Sequence, residues 1–109
     1  IFDAAILARV KSNVVVPTTL KLKYSYINLT DQKQTVRMVR DLIDQDGKIK
    51  ASGFGKWVMK VNEKDSLNLN QPVASNLNVG NYTLRIRALD WKTKEVLAEN
   101  GLSFAIELK

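Results

Sequence analysis

The sequence predicts an all-β fold, a sandwich of antiparallel strands, and two features of the chain lead to this prediction. Apolar and polar residues alternate with a period of two in at least six segments, as in strands that bury one face. Short polar or glycine-containing stretches separate those segments, as is typical of tight turns. This period of two dominates over the 3.6-residue period that marks amphipathic helices.

The alternating segments give the predicted strands in chain order. In residues 20–26, LKLKYSY, leucine and tyrosine alternate with lysine and serine. The same alternation predicts strands over residues 35–38, 57–61, 67–70, 82–88 and 104–108. Residues 4–10, AAILARV, are compatible with a short helix, but an edge strand fits the rest of the pattern better. The total is about seven strands, which is typical of a β-sandwich with immunoglobulin-like topology.

The connections between these segments carry turn signals. Residues 44–48, DQDGK, predict a hairpin, because Gly47 tolerates the positive φ that such turns require. Residues 62–65 and 90–94 are further polar turns. Two glycine-containing stretches are expected to perturb strands, residues 53–55 as a bulge or bend and residues 100–101 as a turn or bulge.

Length and composition favour one ordinary globular domain. With 109 residues, 45% hydrophobic and 26% charged, residues 1–109 are predicted to form a single domain with its own core. No apolar run approaches the ~20 residues that a membrane-spanning helix needs. Because the chain begins at Ile1 rather than Met, we expect it to be excised from a longer polypeptide or to be a processed product.

Cysteine and histidine are both absent from the sequence. Their absence excludes thiol chemistry, imidazole acid–base catalysis, zinc sites built from these residues, and disulfide bonds. Because eukaryotic secreted modules of this size often contain a disulfide, a bacterial or archaeal source is favoured. The net charge of +6 permits attraction to acidic surfaces.

A short motif near the C-terminus gives a family resemblance. Leu77, Gly80 and Tyr82 have an L-x-x-G-x-Y spacing that resembles the tyrosine corner of immunoglobulin-like and fibronectin type III sandwiches. There, a tyrosine near the start of strand F sends its hydroxyl back to the backbone a few residues upstream. The resemblance covers residues 19–109 and is closest to disulfide-free modules of prokaryotic surface proteins and to macroglobulin-type modules. It implies an immunoglobulin-like sandwich with Tyr82 in strand F.

No set of residues predicts catalysis or a cofactor. The acids lie in or beside predicted turns, where solvated carboxylates are usual; they are Asp41, Asp44, Asp46, Asp90, Glu95 and Glu99. Residues 44–47 resemble the first half of an EF-hand calcium loop, but Lys48 and Gly55 stand where that loop needs an oxygen ligand and a glutamate. The hairpin is therefore favoured, with a loose calcium site left open. Asn28 and Asn81 match the glycosylation sequon, which we interpret as coincidence unless the source glycosylates secreted proteins.

Basic side chains concentrate on the polar phase of the predicted strands. They are Lys21, Lys23, Arg37, Lys56, Lys60, Arg85 and Arg87. In the immunoglobulin topology strands C and F are neighbours, so their outward phases bring together Arg37, Val39, Thr83, Arg85 and Arg87. We expect this mixed basic and apolar face to bind an acidic partner or neighbouring domain. The competing interpretation is that Glu107 on strand G neutralises one of the arginines.

The leading functional hypothesis is a non-enzymatic module of a prokaryotic envelope or surface protein. It would be extracytoplasmic and act as a spacer or a protein-interaction domain, contacting a protein partner or neighbouring domains of its own chain. One alternative is a proteinase-inhibitor-type sandwich that presents a basic loop at residues 53–56 or 90–94. The other is a polyanion-binding domain that uses its basic sheet faces. Nucleic acid is disfavoured because Trp57, Tyr24 and Tyr82 lie on the apolar phase.

Overall fold

The computed structural model describes residues 2–8, 13–28, 31–62 and 64–107, which form eight strands. Their bounds are β1 Phe2–Ala8, β2 Asn13–Val14, β3 Thr18–Asn28, β4 Gln34–Asp44, β5 Ile49–Met59, β6 Lys64–Val73, β7 Gly80–Asp90 and β8 Val96–Ile106. Of the segment expected to be either a helix or an edge strand, residues 4–8 belong to the strand β1, which pairs with β3, and residues 9–10 lie outside the described residues.

The strands form two sheets, and the predicted all-β sandwich is confirmed. One sheet has the order β1-β3-β6 and the other the order β2-β8-β7-β4-β5. All pairings are antiparallel except the short contact between β2 and β8. Strands β4 and β7, which correspond to the predicted strands C and F, are neighbours in the five-stranded sheet. The described residues contain no helix that could cross a membrane.

The core lies between the two sheets and follows from the alternation in sequence. In β3 the leucines and tyrosines are buried, whereas Lys21 and Lys23 between them are exposed. In β7 the buried side chains are Tyr82, Leu84, Ile86 and Ala88. Burial of one large apolar side chain contributes about 1.5–3 kcal/mol, so β3, β4 and β7 each supply several such contributions.

The tyrosine corner is formed at the start of β7. The Tyr82 hydroxyl donates to the backbone oxygen of Asn78 at 2.8 Å, the bond that the L-x-x-G-x-Y spacing predicts. Gly80 has a φ of +148°, and a Cβ there would lie 3.1 Å from Oε1 of Gln45. Both the backbone conformation and the nearby Gln45 therefore favour glycine at this position. Leu77 packs against the edge of the core.

The β4–β5 connection is the predicted hairpin. Gly47 adopts a φ of +82° and donates its N–H to the Asp44 carbonyl at 3.1 Å. The Asp44 carboxylate accepts the N–H groups of Asp46 and Lys48, both at 2.9 Å. This carboxylate lies 3.7 Å from Nζ of Lys50. Its oxygens are thus used to close the turn.

The two glycine-containing stretches lie in regular ladders, so the bulges predicted there are wrong. Gly53 and Gly55 face Arg40 and Met38 in an unbroken register with β4. The irregularity in β5 occurs instead opposite the step between Leu42 and Ile43. At Gly53 the missing side chain leaves room for Arg40, whose Nη2 would lie 3.7 Å from a Cβ.

In β8, too, the irregularity lies at a different place from the predicted turn or bulge. Asn100 and Gly101 pair regularly with Ile86 and Arg85 of β7. The register of β8 shifts instead near its start, between the pairs that involve Ala98 and Val96. Glycine at position 101 therefore does not mark a break in pairing.

Candidate functional site

The outward face of the five-stranded sheet carries the residues predicted to contact a partner. Core side chains of β4 and β7 occupy even-numbered positions, so odd-numbered side chains point away from the partner sheet. Arg37, Val39, Arg85 and Arg87 share this outward phase. Val39 pairs directly with Arg87 across the two strands. The predicted neighbourhood of these positions is therefore present in the fold.

Arg85 and Arg87 are engaged in an ion-pair cluster centred on Asp41. Their Nη2 atoms lie 2.7 Å and 2.9 Å from Oδ2 of Asp41. The other carboxylate oxygen accepts the hydroxyl of Ser52 at 2.6 Å. These partners cover Asp41, which is only 2% exposed although it lies on the outer face. Arg85 and Arg87 are therefore already paired within the domain, and their contact with a partner stays a prediction.

The neutralising acid also differs from the one predicted. Asp41 lies inside β4, directly opposite Arg85 in the register, and is not a solvated turn residue. Glu107 lies beyond the end of β8, whereas Arg85 faces Gly101 in the middle of that strand. Glu107 is therefore too far along the strand from Arg85 and Arg87, and no ion pair in the described residues joins it to either arginine.

Electrostatics at Asp41 favour the ionised carboxylate. Burial alone would raise the pKa of Asp41, but the hydrogen bond from Ser52 and the hydrogen bond and charge of Arg85 act in the opposite direction. The charge of Arg87 adds to them, and the resulting pKa lies below its usual value. This cluster is therefore a charged element of the fold at neutral pH.

Arg37 belongs to a different group, which we call the aromatic–basic patch: Arg37, Phe54, Lys56, Trp91 and Lys94. Cζ of Arg37 lies 4.3 Å from the centroid of the Phe54 ring and 4.9 Å from that of the Trp91 ring. The Nζ atoms of Lys56 and Lys94 lie 5.0 Å and 5.2 Å from the Trp91 ring. These are cation–π distances. Three positive charges thus converge on two aromatic rings.

The β7–β8 turn holds Trp91 and Lys94 in place. The Asp90 carboxylate accepts the N–H groups of Lys92 and Thr93, both at 2.9 Å. These backbone hydrogen bonds hold the pKa of Asp90 below its usual value. The backbone N–H of Trp91 donates to the Thr35 carbonyl at 3.0 Å. Nζ of Lys94 donates to the Trp91 carbonyl at 2.6 Å. The turn is therefore fixed against the start of β4.

This geometry corrects one of the two basic loops proposed for a proteinase inhibitor, residues 53–56, while the turn at residues 90–94 stays a prediction. Residues 53–56 lie in the middle of β5 and pair with β4, so they form no protruding loop. Residues 90–94 form the short β7–β8 turn, whose tryptophan contacts the sheet face. Both segments contribute residues to the aromatic–basic patch.

Exposed apolar side chains lie on the same sheet face as this patch. The large hydrophobic residues that are exposed in the described part of the chain number seven: Val15, Ile49, Phe54, Val58, Val61, Val79 and Val96. Four of them, Ile49, Phe54, Val58 and Val96, pair with outward positions of β4 or β7 and therefore lie on this same face. Phe54 is 58% exposed. Exposed apolar groups on a sheet face that also carries charge are characteristic of interaction surfaces.

Phe54 and Trp91 are the residues that the sequence analysis missed. A signal was present, because Phe54 stands three residues before Trp57 and so falls on the opposite face of the same strand. Trp91 continues the outward phase of β7 by a further step of two from Leu89. Trp57 itself points inward, as predicted, and its indole N–H donates to the Tyr26 hydroxyl.

An open cleft of about 400 Å³ lies between the edges of the two sheets. Its lining includes Met38, Arg40, Trp57 and Leu69. Arg40 enters it from β4 and donates to the Asn70 carbonyl at 3.3 Å. Within the described ranges no three acidic side chains come together in a metal-binding group.

The two glycosylation sequons differ in accessibility. Asn28 is completely buried, and its amide donates to the carbonyls of Gln32 at 3.0 Å and Met59 at 3.2 Å. An oligosaccharide on this nitrogen is incompatible with the folded domain. Asn81 is exposed at the start of β7.

Comparison with known proteins finds similar folds within larger chains. No protein-family model matches the sequence, and no curated protein is significantly similar to it. A β-glucuronidase from Bacteroides uniformis matches 95% of this chain with a TM-score of 0.70 and 17% identity, over 13% of its own chain. A β-glucosidase from Listeria innocua matches 96% with a TM-score of 0.68 and 10% identity, over 16% of its chain.

A third solved structure gives the same result. A β-glucuronidase from glycoside hydrolase family 2 matches 94% of this chain with a TM-score of 0.67 and 11% identity, over 11% of its own length. At these identities the likeness is one of fold alone. The chain is similar in fold to a small β-sandwich segment of several much longer glycosidases.

Proposed function

We propose that this chain is a non-enzymatic accessory β-sandwich module of a larger protein and that it acts as a protein-interaction domain. Its interaction surface is the outward face of the five-stranded sheet. The similarity to segments that make up 11–16% of longer chains supports the accessory role. An envelope or surface location in a prokaryote remains a prediction from the sequence.

One observation carries the interaction role. Ile49, Phe54, Val58 and Val96 are between 48% and 58% exposed, and all lie on one face. A sheet face intended only for solvent contact is normally polar, because exposed apolar patches promote association. Charged residues around these side chains give the mixed composition of a protein-interaction surface.

A pure spacer is the main alternative within the same class. It requires no concentrated apolar surface, since a spacer is held only by its neighbours in the chain. A polyanion-binding domain is the second candidate. The position of the exposed Phe54 and the half-buried Trp91 beside Arg37 favours it, because aromatic rings next to cations suit single-stranded nucleic acids. The candidates differ in the molecule that contacts Val58. A protein-interaction domain has a protein there, a polyanion-binding domain has a polyanion, and a spacer has no partner.

Site-specific photo-crosslinking tests the proposal. A benzophenone amino acid replaces Val58, on the proposed face, or Val79, which is similarly exposed in the β6–β7 connection. The protein is expressed in its source organism and irradiated in cells. We expect a discrete crosslinked protein, or a specific crosslink to another domain of the same chain, from position 58 alone. Equal crosslinking from both positions, or none from either, would favour the spacer.

A further inference from the structure

We propose that the aromatic–basic patch binds the carboxylates of an acidic, partly apolar protein segment. The inference rests on the proposed interaction function and names the chemistry of the partner. Its basis is that the positive charge of the outward face is concentrated at one place, and that this place also carries exposed apolar groups.

The cations on this face divide into a set that pairs with a carboxylate of the domain and a set that does not. Asp41 pairs with both Arg85 and Arg87. In contrast, no ion pair in the described part of the chain joins a carboxylate to Arg37, Lys56 or Lys94. These three cations lie close together around Trp91, where they repel one another. A bound carboxylate would relieve this repulsion, so the patch is complementary to an anion.

The rings hold Arg37 in a defined position. Its guanidinium contacts both Phe54 and Trp91, which limits the number of side-chain conformations that binding would have to restrict. A planar guanidinium pairs with a carboxylate through two parallel hydrogen bonds, and such charge-assisted bonds are about twice as strong as neutral ones. Lys56 and Lys94 provide two further point charges for neighbouring carboxylates.

The surroundings of the patch favour a protein segment over a nucleic acid or a sulfated polysaccharide. A long polyanion needs a continuous basic track along its backbone. Here the positive charge beside the patch is reduced, because Arg85 and Arg87 share the single carboxylate of Asp41. The groups that border the patch are instead the aliphatic side chains of Val58 and Val96. Aliphatic groups beside cations match a segment that alternates acidic and apolar residues.

Nuclear magnetic resonance of the isotopically labelled chain provides the test, because the two tryptophans report on different places. The probe is a synthetic peptide of alternating glutamate and valine, and its control is the same peptide with glutamine for glutamate. We expect the acidic peptide to shift the indole N–H signal of Trp91 in a saturable, salt-sensitive manner. The indole signal of Trp57, which is bonded to Tyr26 between the sheets, should not move.

Variants of equal charge establish which cations bind. The triple variant Arg37→Gln, Lys56→Gln, Lys94→Gln should weaken peptide binding at least tenfold. The control replaces three other exposed lysines that lie elsewhere on the chain, Lys21, Lys23 and Lys48, by glutamine. It removes the same net charge and should change the affinity less than twofold. Circular dichroism spectra confirm that both variants are folded.

Several results would overturn the inference. Binding of the glutamine peptide with equal affinity would show that carboxylates are not recognised. Equal weakening in the two triple variants would indicate a response to net charge alone. If a heparin fragment or oligothymidylate bound at Trp91 more tightly than the acidic peptide, the ligand of the patch would be a polyanion and not an acidic protein segment. If crosslinking at Val58 succeeds but the peptide does not bind, the interaction function stands and the patch assignment fails.

Discussion

Asp41 and Arg85 face each other across β4 and β7, with Nη2 of Arg85 2.7 Å from Oδ2 of Asp41. Arg87 and Ser52 bind the same carboxylate from the two sides. The cluster therefore joins three adjacent strands on the outer surface of the five-stranded sheet. It engages two of the predicted partner-binding arginines within the domain, whereas no ion pair in the described residues joins a carboxylate to the cations of the aromatic–basic patch.

Replacement of Asp41 by asparagine should destabilise the domain. The substitution keeps the shape of the side chain but removes the charge that Arg85 and Arg87 share. Hydrogen bonds to charged groups contribute ~1.5–3 kcal/mol each, and the arginines retain partial access to water, so we expect a loss of about 2–3 kcal/mol at pH 7. Urea unfolding measures it. Asp46→Asn in the exposed β4–β5 turn is the control and should change stability little.

The same cluster predicts the direction of the pH dependence. The pKa of Asp41 is lower in the folded state than its ordinary value of 3.8. Its contribution is therefore complete above that value and is lost as the pH falls through the folded-state pKa. We expect the stability difference between the native chain and Asp41→Asn to shrink between pH 5 and pH 3. A difference that stays constant over this range would contradict the assignment.

Two other acids act in the same direction and must be separated from Asp41. The pKa of Asp44 is lowered chiefly by its hydrogen bond from the backbone of Lys48, and that of Asp90 by the bond from Thr93. Asp41→Asn should therefore retain some acid sensitivity. The quantity to measure is the difference in unfolding free energy between the native chain and Asp41→Asn as a function of pH. The contributions of Asp44 and Asp90 are present in both proteins and cancel in this difference.

The alternation of apolar and polar residues was sufficient to predict the sandwich, because this pattern depends on residues that are close in sequence. Each strand buries one face, so the period of two records which side chains meet the opposite sheet. Tyr82 illustrates how far this extends, because a short spacing motif located both its strand and its hydrogen bond to Asn78. Such features depend on residues that are close in sequence.

The candidate site depends on register, which the sequence does not display. Asp41 stands three residues before a turn, and only its pairing with Arg85 shows that it lies within a ladder. Phe54 is flanked by glycines that suggested a break in the strand, whereas Gly53 in fact accommodates Arg40 from β4. Trp91 belongs to a turn in sequence but contacts Arg37 on another strand. Long-range pairing decides all three cases.

Removal of the Tyr82 hydroxyl should weaken the domain. Tyr82→Phe deletes the 2.8 Å bond to the Asn78 carbonyl while it preserves the ring that packs against Phe104. The net contribution of such a bond is ~1 kcal/mol, with somewhat more if the carbonyl is left without a partner. We expect a lower urea midpoint with an unchanged slope of the unfolding free energy against urea. An unaltered midpoint would show that the corner bond does not stabilise the fold.

The same substitution at Tyr24 should have the opposite sign. Tyr24 is completely buried in β3, and its hydroxyl has no hydrogen-bond partner among the described residues. Burial raises the pKa of this hydroxyl to about 12, so the group is a protonated, desolvated donor at neutral pH. A buried polar group left unsatisfied costs ~1–3 kcal/mol, and phenylalanine fills the same space without it. We therefore expect Tyr24→Phe to stabilise the domain by about 1 kcal/mol, measured by urea unfolding beside Tyr82→Phe. Both variants lose one hydroxyl from a buried tyrosine, so opposite shifts of the urea midpoint would identify hydrogen bonding as the cause. Destabilisation by Tyr24→Phe would instead show that its hydroxyl has a hydrogen-bond partner in solution.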